Sequence, residues 1–102
     1  MDDWRDIPGY PNYMINAYGN LYNKSQDSYP RGTFNENTTT YYRVKPGDIR
    51  LTSSKPQIMA AHRLVGMAFL GYDRSVRVYH RDGDLHNNHY TNVTTLNPAK
   101  SN

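Results

Sequence analysis

Hydrophobic side chains in the first 23 residues come singly or in alternation, never in long runs. Trp4, Ile7, Tyr10, Tyr13, Ile15, Leu21 and Tyr22 are punctuated by Pro8-Gly9, Pro11-Asn12 and Gly19-Asn20, and this pattern predicts short strands joined by turns. Residues 24–40, KSQDSYPRGTFNENTTT, offer little to bury and read as a loop. Strand character returns at residues 41–45 and 49–52 around Pro46-Gly47-Asp48, which predicts a hairpin between those two segments. Between residues 59 and 70, Leu64, Val65, Ala68 and Phe69 recur at helical spacing among Ala60, Ala61 and Met67 until Gly71 ends the run, so this stretch is the expected helix. Val76 and Val78 alternate with Arg77 and Tyr79 and lead into Asp82-Gly83-Asp84, a strand followed by a turn. The last expected element is a short helix over residues 88–96, stopped by Pro98. The expected fold class is α+β in a single domain over residues 1–102, β-rich over 1–52.

Composition narrows the picture. Hydrophobic residues make up 36% of the chain and ten of them are Tyr, so the aliphatic supply for a core is thin. Cysteine is absent, which excludes disulfides, thiolate zinc sites and cysteine catalysis. No segment approaches the ~20 apolar residues of a membrane span, and the acidic start MDDWRD is unlike a signal peptide. The expectation is a cytoplasmic protein with no membrane partner. Formal net charge is +3. The excess lies in the second half, where Lys55, Arg63, Arg74, Arg77, Arg81 and Lys100 face only Asp73, Asp82 and Asp84. A basic excess rich in Arg suits phosphate oxygens, although a solvated basic face would give the same count.

Two segments carry a family resemblance. Trp4-Arg5-Asp6-Ile7-Pro8-Gly9-Tyr10, continuing through Tyr13, Ile15 and Gly19-Asn20-Leu21, resembles the modular N-terminal motif of phage and intron homing endonucleases. His62-Arg63-Leu64-Val65 with Ala68-Phe69, then Val78-Tyr79-His80-Arg81-Asp82-Gly83-Asp84, Asn87-Asn88 and Asn92, resembles the HNH nuclease domain, a ββα hairpin and helix around a metal. The resemblance implies an HNH-like region over residues 58–102 and a phage-encoded DNA endonuclease or nickase acting on double-stranded DNA. Phosphodiester hydrolysis requires a base for water and stabilisation of charge on the phosphorane and leaving oxygen. The resemblance makes His80 that base and Asn92, twelve positions on, the central Asn of the motif, whose side-chain amide ties the hairpin to the following helix and orients the His. Asn87, Asn88 and Asp82 are expected to brace the turn, and His62, Arg63, Arg74, Arg77, Arg81 and Lys100 to contact the DNA backbone.

The cofactor implied is one divalent metal, Mg2+ or Mn2+, and here the sequence departs from the family. The position before the catalytic His, usually Asp or Asn, is Tyr79, a neutral phenol at pH 7 and a poor partner for a hard cation. The second ligand falls about twenty-one positions after the catalytic His, at Ser101, with Asn102 beside it as the remaining candidate. These departures keep open an alternative: a catalytically degenerate HNH-like protein that binds DNA or another protein. A zinc set of His80, His86 and His89 with Asp82 or Asp84 fits no helix-borne pair. His86 and His89 are expected to be exposed, and His62 to meet phosphate or pack under the hairpin. Most of the Tyr are expected in the core and on edge strands, with Trp4, Tyr10 and Tyr13 forming one cluster. No phosphate-cradling Gly-rich loop or nucleophile elbow is present, which removes nucleotide and serine hydrolases.

Overall fold

A computed structural model describes residues 3–47 and 56–96 of the chain. The N-terminal alternation becomes a three-stranded antiparallel sheet of β1 (Trp4–Ile7), β2 (Tyr10–Asn16) and β3 (Leu21–Asn23), in that order. Trp4 pairs with Asn16 and Ile15 with Leu21, and an irregularity at Asp6/Ile7 carries the chain into the turn at Gly9. Along β2 the side chains of Tyr13 and Ile15 point inward, the two-residue period expected of a half-buried strand.

β4 (Tyr41–Val44) is antiparallel to β5 (Gln57–Ala60), with Tyr41 opposite Ala60 and Val44 opposite Gln57. This corrects the expected hairpin. The strand paired with β4 lies beyond the Pro46-Gly47-Asp48 turn signal by several more residues, and residues 49–52 fall outside the described ones. The helix α1 (Ala61–Phe69) starts two residues later than the periodicity suggests. Met59 and Ala60 are held in strand geometry by the β4 pairing, and the Ala61 amide donates to the Thr40 carbonyl at 2.8 Å. Tertiary pairing thus overrides the helix propensity of Met59 and Ala60.

α1 turns Ala61, Leu64, Val65 and Met67 into the core and packs against β1, β2 and β5 on one side. On the other it meets the C-terminal strands β6 (Tyr79–His80) and β7 (Val93–Thr94) through β7. Ile7, Tyr10, Tyr13, Ile15, Leu21, Tyr42 and Val44 complete the apolar centre from the first half of the chain. Val76 and Val78 lie outside the strand expected there, which is only the pair Tyr79–His80. The expected C-terminal helix is a single 3-10 turn, Tyr90–Asn92, running directly into β7. Thr94 then pairs with Tyr79 and Val93 with His80, so the Thr-rich segment takes the extended form its β-branched residues favour.

The aromatic side chains divide more than expected. Tyr10, Tyr13 and Tyr42 are buried, whereas Tyr18, Tyr29, Tyr41 and Tyr90 are exposed. Trp4 does not join Tyr10 and Tyr13; its ring lies against Tyr22 and Tyr29, at centroid distances of 6.2 and 5.9 Å.

Candidate active site

His80 ends β6, and the chain turns back immediately through residues 81–92. Gly83, at φ +78°, makes the reversal possible, and its amide donates to the His80 carbonyl at 3.1 Å. Asn92 closes this loop. Its Nδ2 donates to Asp82 Oδ1 at 2.8 Å and to the Asn87 carbonyl at 2.9 Å, while its Oδ1 accepts from the Asp82 amide at 3.1 Å. Asn87 Nδ2 donates to the second Asp82 oxygen at 3.2 Å, and Asp82 Oδ1 also accepts from the Asp84 amide. These donors, the Asp84 amide first and then the Asn92 and Asn87 side chains, hold the Asp82 carboxyl below its ordinary pKa. Asp82, Asn87 and Asn92 therefore brace the turn. None of the hydrogen bonds drawn for Asn92 reaches His80, so its place is in support of the loop.

The side chain that holds His80 is Asn88. His80 Nε2 lies 2.7 Å from Asn88 Oδ1, which also accepts from the Thr39 hydroxyl at 3.1 Å. An amide oxygen only accepts, so the proton of a neutral His80 sits on Nε2 and Nδ1 keeps its lone pair. All three side chains are buried. Sequence reasoning assigned Asn88 to the turn and missed Thr39 altogether, because that contact joins residues 49 positions apart. Gly19, a turn and motif residue in the sequence, also packs against this group. At φ +88° it admits Asn88 so closely that an added Cβ would lie 3.0 Å from the Asn88 Cβ.

His80 is only 5% exposed, yet its ring forms part of the wall of a cleft of about 410 Å³. Thr38, Thr39 and Tyr41 line it from the polar loop and β4, His62 from α1, and Gly83 and Leu85 from the turn. The His62 ring lies 4.2 Å from that of His80, centroid to centroid, tilted by 36°. Burial, then the neighbouring His80, lowers the His62 pKa to about 4, so His62 is neutral at pH 7. Its Nδ1 is buried without a hydrogen-bond partner. His62 is thus a wall of the cleft and packs under the hairpin.

The expected phosphate contacts separate by environment. Arg74, Arg77 and Arg81 are exposed. Arg63 instead donates to the backbone carbonyls of Arg74 and of Val76, the latter at 3.0 Å, and so clamps the loop before β6. Lys100 and Asn102 lie outside the described residues. His86 is exposed, whereas His89 is half-buried, stacked on Tyr90 and accepting from the Thr91 amide. Among the described residues no group of three or more His, Asp or Glu side chains converges to hold a metal ion. Tyr79, half-buried beside His80, brings only a phenol. The described donors do not by themselves fit a hard divalent cation.

No family model matches the chain. Over 95 residues it is 26% identical to an uncharacterized HNH endonuclease of Acanthamoeba polyphaga mimivirus, covering 91% of this chain and 22% of the relative. The fold is similar to that of the HNH homing endonuclease I-HmuI, solved in work on its DNA binding and cleavage, with a TM-score of 0.67 and 28% sequence identity. That match covers 89% of this chain and 50% of the solved one. The chain therefore spans about a fifth of the viral relative and half of the solved structure. Both likenesses, one of sequence and one of fold, support the HNH endonuclease family.

Proposed function

We propose that the protein is a DNA endonuclease or nickase of the HNH type, with His80 as the general base for the attacking water. The observation that carries this reading is the 2.7 Å bond between His80 Nε2 and Asn88 Oδ1, which leaves Nδ1 as the basic nitrogen on a ring that lines the cleft. Water gives a proton to Nδ1, its oxygen bonds to phosphorus, and the P–O bond to the leaving sugar oxygen breaks, that oxygen taking a proton from solvent. The resulting imidazolium keeps its Nε2–H on Asn88, so the ring does not reorient during the step. Asn92, Asn87 and Asp82 keep β6 and the turn in register beneath it. Arg74, Arg77 and Arg81 lie exposed, free of the backbone duty that Arg63 performs, and in this reading they contact the DNA backbone and position the duplex without reading bases. The N-terminal sheet corresponds to the modular motif of homing endonucleases.

HNH nucleases generally use a divalent metal; in this reading it would be Mg2+ or Mn2+, and when bound it would supply charge stabilisation for the phosphorane and leaving oxygen. The described residues supply no cluster of ligands for it, and the roles given to His80 and Asn88 do not depend on its position. No described helix is long and apolar enough to cross a membrane, in keeping with a cytoplasmic nuclease.

The test is nicking of supercoiled plasmid in Mg2+ or Mn2+, beside an EDTA control and His80→Ala. Wild-type protein converts plasmid to open circles, and His80→Ala lowers the rate by about 10²–10⁴-fold, the usual contribution of a general base. Equal nicking by the two proteins would remove His80 from the chemistry. Binding without nicking in either metal would make the protein a DNA-binding relative of the nucleases.

A further inference from the structure

We propose that the His80 cleft takes a single unstacked nucleotide, flanked by Phe34 and Leu85, so that the preferred substrate is DNA carrying an unpaired or easily unstacked base at the cut step. The inference rests on the DNA-cleaving reading above and adds a substrate class to it. A base that is only 5% exposed cannot meet a strand lying on the molecular surface; the strand must enter the cleft. At about 410 Å³ that cleft is on the scale of a small-ligand pocket and far too small for a duplex.

Its surroundings are apolar where a purely phosphate-binding surface would be charged. Leu85 lines the cleft from the turn and is 38% exposed, while Phe34, 63% exposed, sets its ring edge-on to His86 with centroids 5.8 Å apart. Loop and turn thus meet at an exposed aromatic pair, and Leu85, the chain neighbour of His86, lines the cleft. Apolar side chains that enter between base steps, and aromatic faces that receive a displaced base, are the two ways proteins offset unstacking. Arg81, exposed at the start of the same turn, supplies charge complementary to the entering strand. Bases that are mismatched cost least to displace, which turns this geometry into a preference.

Three duplexes test it: one fully paired, one with a single mismatch and one with an abasic site, each with 2-aminopurine at the affected step. The full chain is titrated with each at low salt without divalent metal, so binding is read apart from cleavage. Wild-type protein should bind the mismatched and abasic duplexes about 5- to 100-fold more tightly than the paired one, the range of a base–aromatic stack, with a rise in 2-aminopurine fluorescence. Phe34→Ala and Leu85→Ser, both at exposed positions, should cut that ratio severalfold, and Tyr29→Ser, an exposed aromatic packed instead against Trp4 and Tyr22, should leave it unchanged. Binding with no preference, or a preference untouched by both cleft variants, overturns the proposal while the nuclease reading stands. Absence of binding to every duplex overturns both.

Discussion

The two ends of the molecule are built on different physics. Up to residue 72, buried positions are chiefly apolar: Ile7, Tyr10, Ile15, Leu21, Val44, Leu64 and Val65 close around one another. Beyond it, the buried hydrophobics are Val78 and Val93, and they are outnumbered by His80, Asn88, Asn92 and Thr94. The first region draws its stability from area removed from water, which is non-directional. In the second, hydrogen bonds of fixed geometry decide where each side chain points. Damage to the first region should lower the stability of the whole molecule, and damage to the second should displace a few atoms while the fold survives.

The largest effect is expected in the apolar region. Ile15→Ala, at a fully buried position, should lower unfolding free energy by about 2–5 kcal/mol in denaturant titration. A cost below about 1 kcal/mol would mean that this sheet does not carry the core. Acid should act next, at the junction between the regions. His62 is protonated below about pH 6.5 when unfolded but only below about pH 4 when folded. Stability present above pH 6.5 is therefore lost as pH falls from 6.5 towards 4, by roughly 3 kcal/mol at about 1.4 kcal/mol per pH unit. His62→Gln should flatten that slope; an unchanged slope would assign the acid sensitivity elsewhere. The smallest global effect belongs to Asn92→Ala, roughly 0.5–1.5 kcal/mol for the part-buried bonds lost. Hydrogen exchange should show faster exchange at the amides of Arg81, Asp82 and Gly83 with β2 unaffected. Equal loss of protection in β2 would break the distinction between the two regions.

The same distinction explains what could be read from sequence. Apolar periodicity is a local signal, and the strands around Ile7, Tyr13 and Ile15 and the helix around Leu64 and Val65 were legible from it. The partner of β4 was not, because strand pairing depends on contacts that a turn signal at Pro46-Gly47 does not specify. Asn92 was singled out by family resemblance, and the bracing of the turn after His80 by Asp82 and Asn87 was legible through the habits of short amides. The grip of Asn88 and Thr39 on His80 was not, since a Thr in a polar stretch carries no mark of the residue it meets 49 positions later. The clamp made by Arg63 was not legible for a related reason: charge alone does not mark a hold on backbone carbonyls.

Asn88 fixes which nitrogen of His80 carries the proton, and a long-range 1H–15N correlation spectrum of the imidazole side chains at pH 8 measures this directly. His80 should be the Nε2–H tautomer with an unprotonated Nδ1, and Asn88→Ala should mix the tautomers. A His80 ring carrying its proton on Nδ1 in the wild-type protein would contradict that assignment.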